Sequence, residues 1–250
     1  MEKKIVAITG GASGIGLASA RAAVAKGWHV AVCDRDIRAL ANAETALGAK
    51  ATYTAVDVTD EAAVDAWIDE AAGRGRLIGV VTSAGLGADV PALETSVELF
   101  QRVHAVNVLG TFITARAAAR VMADIGGGSI VTIASVSGVR GSKGRVAYGS
   151  SKAAVINMTQ GLATDLAHLG IRANAVCPGP VETPMVAAIH DPATREHWVR
   201  HVPMRRYGSV DEIASLVAFL LDGSQSSYIT GQAIAADGGF AGAGLTRIDT

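Results

Sequence analysis

The first sixteen residues narrow the choice of fold more than any other stretch. Lys4–Thr9 reads KIVAIT, a short continuous apolar run, and passes straight into Gly10-Gly11-Ala12-Ser13-Gly14-Ile15-Gly16. An Ala-rich helical pattern follows to about Lys26. A strand apolar on both faces belongs between two layers, as in a parallel sheet. Glycines let the chain turn tightly and bring its backbone close to a ligand, while the start of the helix offers unpaired N–H groups. Strand, Gly-rich turn and helix in this order predict a pyrophosphate cradle, with Gly10, Ser13, Gly14, Ile15 and Gly16 as its contacts.

The second strand, Trp28–Cys33, ends at Asp34, eighteen residues beyond Gly16. A dinucleotide-binding unit places there the acid that holds the adenosine ribose. A 2′-phosphate about 4 Å from that carboxylate would meet about 4 kcal/mol of repulsion per charge pair at an effective dielectric of about 20. Asp34 therefore favours NAD over NADP, with Arg35 offsetting part of the effect. Asp34 also stands where it could N-cap a helix beginning near Ile37.

The alternation continues. A helix over Ile37–Leu47 leads to a strand Ala51–Val56 capped by Asp57-Val58, and Thr59 or Asp60 starts a helix to about Ala72. The strand Leu77–Val81 runs into Thr82-Ser83-Ala84-Gly85. A long helix is expected over Thr95–Asp124, with Asn107 inside it and Gly110 shortly after; an Asn there tempts the backbone into other hydrogen bonds. Strands follow at Gly128–Ala134, Ile171–Cys177 and Ala233–Ala236, with helices at Tyr148–Leu169 and Asp211–Leu221. Such a βα series predicts a single α/β domain over 1–250, a Rossmann-like doubly wound parallel sheet of seven strands with helices on both faces.

Two segments depart from the series. Residues 181–207 hold three prolines, the histidines His190, His197 and His201, Trp198 and several arginines, and read as a substrate lid at the C-terminal edge of the sheet. His197 and His201 have an i,i+4 spacing, but no HExxH pattern or other clear ligand set accompanies them, so no metal is expected. The other segment, Ile133–Lys152, opens with a strand end, crosses a basic, Gly-rich loop and enters a helix. In it Ser135 is followed thirteen positions later by Tyr148, and Lys152 lies four beyond that, on one helical face with the tyrosine. A cation about 4 Å from a phenolate, at an effective dielectric of about 20, contributes about 4 kcal/mol. That would bring the phenol down by roughly three pH units, into the range where acid–base catalysis works.

Composition limits the partners. Half the residues are apolar, which supports a large core, and a net charge of −1 gives no electrostatic footprint for nucleic acid. The apolar run Ile213–Leu221 is far shorter than the roughly 20 residues that span a bilayer. A strand beginning within three residues of Met1 leaves no room for a signal peptide, and Cys33 and Cys177 match no disulfide or metal spacing. A cytoplasmic protein without membrane contact is expected. The helix from Tyr148 carries two apolar stripes, Val155, Leu162, Leu166 and Leu169 on one side and Ala153, Ile156, Ala163 and Ala167 on the other. One would face the sheet and the other a partner subunit.

Taken together, TGGASGIG from Thr9, Asn107 in an N-x-x-G element, the Ser135-to-Tyr148 separation, YGSSK, the Pro178-Gly179 after the sixth strand and the closing Asp237-Gly238-Gly239 resemble the short-chain dehydrogenase/reductase family over nearly the whole chain. The resemblance implies Tyr148 as acid/base and Ser135 as the group that holds the reacting oxygen. It implies that Lys152 lowers the tyrosine pKa and binds the nicotinamide ribose, and that Asn107 positions a water in a relay to that lysine. Asp57 and Val58 would contact adenine, Val181 and Thr183 the carboxamide, with Ala84, Gly85, Pro178 and Gly179 lining the cofactor. A homotetramer is implied too. Thr82-Ser83 stands where the family usually has Asn-Asn, which puts the cofactor contacts there in question.

The leading reading is an NAD-dependent oxidoreductase that moves hydride between nicotinamide and a secondary alcohol or ketone. The alternatives are an NADPH-dependent 3-oxoacyl thioester reductase and a catalytically silent dinucleotide-sensing protein; the intact Ser135, Tyr148 and Lys152 argue against the last. Arg140, Lys143 and Arg145, or the lid arginines Arg195, Arg200 and Arg205, would meet an anionic group on the substrate, or else are solvated loop charges. Arg206 is read as structural.

Overall fold

The computed structural model describes residues 2–242. Its strands are β1 (Lys4–Thr9), β2 (His29–Asp34), β3 (Ala51–Ala55), β4 (Arg76–Thr82), β5 (Gly128–Ile133), β6 (Ile171–Pro178) and β7 (Ala233–Ala236). Its α-helices are α1 (Gly14–Ala25), α2 (Ile37–Leu47), α3 (Glu61–Gly73), α4 (Val97–His104), α5 (Gly110–Asp124), α6 (Val136–Val139), α7 (Val146–Leu166), α8 (Pro184–Ile189), α9 (Pro192–His201), α10 (Val210–Leu221) and α11 (Gly223–Ser226). The sheet runs β3-β2-β1-β4-β5-β6-β7, all parallel. Strand order reverses between β1 and β4, and a ligand crevice opens beyond the C-terminal ends of strands at such a switch point.

The alternation of side chains along β1 divides the core in two. Ile5 and Ala7 face α3 and α5, packing with Val64, Trp67, Ile68, Ile113 and Met122. Val6 and Ile8 face the other way, against Ala20 and Ala23 of α1, Leu40 of α2, and Ile213, Val217 and Leu221 of α10. A strand sandwiched this way has no solvent face, which is why its sequence is continuously apolar.

The structure revises three helical expectations. The stretch Thr95–Asp124 is not one regular helix: α4 passes through a π-helical turn at Ala105–Leu109 before α5 begins, and Asn107 sits inside that turn. The widened turn lets its polar side chain reach tertiary partners in the loop after β4 and on α7. A short helix, α6, occupies part of the basic loop, started by Ser135, whose Oγ accepts from the Ser137 amide at 3.1 Å. Finally, the second apolar stripe of α7 splits, because Ala163 is buried whereas Ala153 and Ala167 are exposed and Ile156 is half-buried. The outer face of α7 is mostly small and polar (Ser150, Asn157, Gln160, Thr164). Leu162, Leu166 and Leu169 pack onto the α3/α5 side of the core.

The N-x-x-G spacing has a packing cause. A Cβ on Gly110 would lie 2.6 Å from Val58 Cγ2, so glycine lets α5 approach the loop after β3. Thr82, at the end of β4, is fully enclosed and its Oγ1 finds no protein partner. A buried hydroxyl without a partner costs about 1–3 kcal/mol, and valine has nearly its shape. Thr82→Val is expected to raise the thermal midpoint by about 2–4 °C, as read by calorimetry; a lower midpoint would show that the hydroxyl is in use.

Candidate active site

The cleft at the switch point is lined by Gly10, Ser13, Gly14 and Ile15 from the first turn, Asp34 and Arg35 from the end of β2, and Asp57 and Val58 after β3. Ala84 and Gly85 after β4, Ser135, Tyr148 and Lys152, and Pro178, Gly179, Val181 and Thr183 after β6 complete it. Residues from six distant stretches of sequence thus converge on one cleft open to solvent. Gly16 stands just behind the lining, where a Cβ would run into the Gly10 carbonyl. Ser83, of the Thr82-Ser83 pair, also lines it, and the remaining lining (Val56, Leu86, Val106, Ile133, Ala134, Pro184, Met185 and Val186) does not stand out in the sequence. Apolar residues between motifs carry no signal that separates a cleft wall from a core.

The first turn is built for close approach. Gly10 has φ +60°, and a Cβ there would lie 2.7 Å from the Ala84 amide nitrogen. The Thr9 hydroxyl accepts from the Ser83 and Ala84 amides, each at 3.2 Å, and so ties β1 to the loop after β4. Ser13 occupies the N-cap of α1 but makes no side-chain cap bond, and the first turn of α1 holds no acidic residue. Free amides, an uncommitted hydroxyl and an absence of negative charge suit a pyrophosphate.

At the end of β2, Asp36, not Asp34, caps α2, accepting from the amides of Arg38 and Ala39 at 2.9 and 3.2 Å. Asp34 accepts from the Asp36 amide at 3.1 Å through Oδ1 and lines the cleft. Asp57 Oδ1 accepts from the Thr59 amide and hydroxyl at 2.9 and 2.7 Å, and these bonds, aided by Arg35, hold its carboxyl below the usual range. The residues present therefore fit a nicotinamide dinucleotide.

At Tyr148 and Lys152 the geometry corrects the electrostatic expectation. Lys152 Nζ donates to the Ile133 carbonyl at 2.7 Å and stands 5.8 Å from the Tyr148 ring centroid. Burial brings the ammonium down to about 8. Burial also pushes the Tyr148 phenol up, above its ordinary value, and the forces opposing that rise come from the Ser135 hydroxyl and the Arg145 guanidinium. The lysine is turned toward the strand carbonyl, and the charge that opposes the rise of the phenol is the Arg145 guanidinium.

Asn107 has no exposed surface. Its Oδ1 accepts from the Leu86 amide at 2.7 Å, and its Nδ2 donates to the Leu86 carbonyl at 3.0 Å and to Ser151 Oγ at 2.9 Å. Asn107 thus clamps the loop after β4 onto α7, one residue from Lys152. Thr183 caps α8, accepting from the Val186 amide at 3.1 Å.

The basic residues fall into two groups. Arg195 pairs with Glu182, Arg200 with Glu196, and Arg206 with Glu212, while Arg205 donates to the Arg200 carbonyl. Arg145 is buried against Asp89 and His190. Arg140 and Lys143 are exposed and make no ion pair among the described residues. The His197 and His201 rings lie against each other, centroids 4.3 Å apart, and His201 Nδ1 is 2.8 Å from the His197 carbonyl.

A crevice that fits a dinucleotide, with a Ser, a Tyr and a Lys in its wall, suits a nicotinamide-dependent oxidoreductase. The family model described as enoyl-(acyl carrier protein) reductase matches residues 10–241. The 2-(S)-hydroxypropyl-CoM dehydrogenase 3 of Xanthobacter autotrophicus is 36% identical over 249 residues, covering 96% of this chain and 97% of its own. Galactitol 2-dehydrogenase (L-tagatose-forming) of Cereibacter sphaeroides is 40% identical over 238 residues, covering 94% and 93%. The crystal structure of levodione reductase superposes with a TM-score of 0.91 at 32% identity, covering 96% of this chain and 98% of that one. The chain belongs to the short-chain dehydrogenase/reductase family, whose members interconvert alcohols and carbonyl compounds.

The buried histidines make stability depend on pH. Burial and the Arg145 guanidinium hold His190 below its ordinary value, while burial chiefly lowers His29 and is the cause for His104. Between the folded value and about 6.5 the unfolded chain binds the extra proton, so stability is full above that window and falls as pH drops through it. The thermal midpoint is expected to decline from about pH 7 to pH 5. His190→Asn should decline less steeply; equal slopes in the two proteins would contradict the assignment.

Proposed function

We propose that the protein is an NAD-dependent dehydrogenase that oxidises a secondary alcohol, or reduces the matching ketone, with Tyr148 as general acid/base. The observation that carries this reading is that Ser135, Tyr148 and Lys152 line the same cleft as the Gly-rich turn. When bound, the dinucleotide supplies the hydride acceptor or donor. The Ser135 hydroxyl holds the reacting oxygen, and Tyr148 takes the hydroxyl proton in oxidation and returns it in reduction. Lys152, titrating at about 8, exchanges protons readily near neutral pH and also binds the ribose. Asn107 keeps Leu86, and with it Gly85, seated against Lys152: a Cβ on Gly85 would fall 3.6 Å from Nζ.

Asp34 supports NAD, since it lies in the cleft wall with its N-capping role taken over by Asp36. The relatives' names support the substrate class: a hydroxypropyl thioether derivative and galactitol both present secondary alcohols to their enzymes. The cleft wall includes the apolar side chains Ala134, Met185 and Val186, which suits a substrate with an apolar group. Of the loop and lid cations named for an anionic substrate group, Arg140 and Lys143 make no ion pair among the described residues, and neither lines the cleft, which favours the reading of them as solvated loop charges. Both cysteines are buried free thiols, which suits a reducing cytoplasm.

We further place the chain in a homotetramer. Phe100 of α4, Leu109 of the π-helical turn, Phe112 of α5 and Val146 of α7 are exposed, and a His104–Ser150 contact at 3.1 Å joins α4 to α7. Two such surfaces from different copies would cover these side chains. Light scattering at micromolar concentration should give four times the chain mass; a monomer would contradict it.

The central test is an absorbance screen for NADH formation over secondary alcohols, neutral and anionic analogues side by side, run in parallel with NAD and NADP. Turnover is expected with NAD, and Tyr148→Phe should lower it by a factor of about 10³ or more while cofactor binding persists. Full turnover by the phenylalanine variant would sink the assignment, and a preference for NADP would sink the role given to Asp34.

A further inference from the structure

Arg145 has no part in the hydride and proton transfers, yet its surroundings are unusual for a loop arginine. It stands three residues before Tyr148, at the N-cap of α7, and is only 8% exposed. A guanidinium is always charged, so burying it requires partners. One is Asp89, in the loop after β4, whose Oδ2 lies 3.4 Å from Nη2. The other is His190, between α8 and α9, whose Nε2 lies 3.1 Å from the same nitrogen. The loop around Asp89 is itself tied down, since the Val90 amide donates to the Gly144 carbonyl at 2.9 Å.

These contacts settle the histidine's tautomer. Arginine only donates, so Nε2 must accept, and the ring proton resides on Nδ1. Nδ1 lies 2.9 Å from Tyr207 Oη and donates to it. The ring is also stacked on Trp198 of α9, at a centroid distance of 6.0 Å and an interplanar angle of 11°. His190 thus joins the 181–207 segment, through Trp198 and Tyr207, to the guanidinium. The guanidinium in turn stands over the Tyr148 ring, its Cζ 5.5 Å from the centroid, slightly nearer than the Lys152 ammonium. Neither Arg145 nor His190 lines the cleft, so neither is placed to touch substrate.

We propose that Arg145 is a positioning residue for Tyr148 and that His190 makes its position conditional on the 181–207 segment: the guanidinium stands over the phenol while that segment is seated, and leaves it when the segment lifts. The proposal rests on the reading of Tyr148 as the general base. A base needed only when substrate is enclosed is then most fully ionised in the enclosed state. The charges around this path are few. Tyr148 is faced by Ser135, Arg145 and Lys152; Lys152 by Cys177, and Cys177 by Asp237. Arg145 is faced by Asp89, His190 and Tyr207; His190 also by Asp191 and Arg195, the latter paired with Glu182 and lying over the Tyr207 ring. Asp89 offsets part of the guanidinium charge, and burial already pushes the phenol up, so losing Arg145 raises it further.

The test reads the phenol directly, in the full chain without cofactor. Tyrosinate absorbance near 295 nm is followed in a stopped-flow jump to alkaline pH, and the Tyr148→Phe variant of the same background is subtracted to remove Tyr53, Tyr207 and Tyr228. Arg145→Gln is expected to raise the Tyr148 midpoint by about one pH unit, and Arg145→Lys by less. His190→Phe should shift it in the same direction, and Arg145→Gln with His190→Phe together no further than Arg145→Gln alone. With NAD and an alcohol, the limb of the kcat/KM profile assigned to the base should move in parallel. An unmoved midpoint in Arg145→Gln overturns the proposal, and if that variant fails to fold, an unmoved midpoint in His190→Phe overturns it. Shifts that simply add in the double variant overturn the link to the segment. Failure here with an inactive Tyr148→Phe enzyme sinks the Arg145 proposal alone; an active Tyr148→Phe enzyme sinks the reading of the site beneath it.

Discussion

Two backbones nearly touch where the sheet changes direction, and the site depends on that approach. Gly10 sits against Ala84 with no room for a side chain, and the Thr9 hydroxyl gathers the Ser83 and Ala84 amides. The contact fixes the depth of the crevice between β1 and β4. The Gly-rich turn lies on one side and the loop carrying Gly85 and Leu86 on the other. Asn107 then fastens that loop from behind, through both polar groups of Leu86. Lys152, one residue from Asn107's third partner Ser151, is placed by the same clamp.

Burial is the second constraint, and it acts on both members of the Tyr–Lys pair in opposite directions. Removing water destabilises whichever form is charged, so the phenol rises and the ammonium falls. Burial alone therefore keeps both groups in their neutral forms more readily than in water, which favours sharing of a proton between tyrosine, lysine and a bound hydroxyl over a fixed ion pair. A simple Coulomb argument between Tyr148 and Lys152 misses this, because it treats distance and ignores desolvation and the orientation of Nζ toward Ile133. The cation above the ring belongs to Arg145 as much as to Lys152.

How much was legible varies with the kind of signal. Residues that must adopt special backbone geometry or sit at fixed spacing, such as Gly10, Gly16, Asp34, Ser135, Tyr148 and Lys152, stand out in a linear reading. Strands covered on both faces are equally plain, and β1, β7 and α2 have the ends their patterns predict. Thr95–Asp124 looks like one helix because a π-helical turn preserves helical spacing on either side while rotating the turns beyond it. The outer face of α7 is hard to place from its residues, because alanine fits buried and exposed positions alike. The arginines near the cleft could not be sorted at all, since which carboxylate or imidazole each one meets is settled by loops far apart in the chain.

The sequence by itself determined the doubly wound sheet and the crevice at its switch point, because these follow from local rules of turn geometry, periodicity and spacing, while its candidate reactive side chains were picked out by spacing together with a family resemblance. Only the tertiary structure decided how those side chains are tuned. It committed Asn107 to a backbone clamp, turned Lys152 toward a strand carbonyl and brought Asp89, His190 and Tyr207 together around Arg145. Desolvation and charge pairing depend on what surrounds a group in space, and loops far apart in the chain supply those surroundings here.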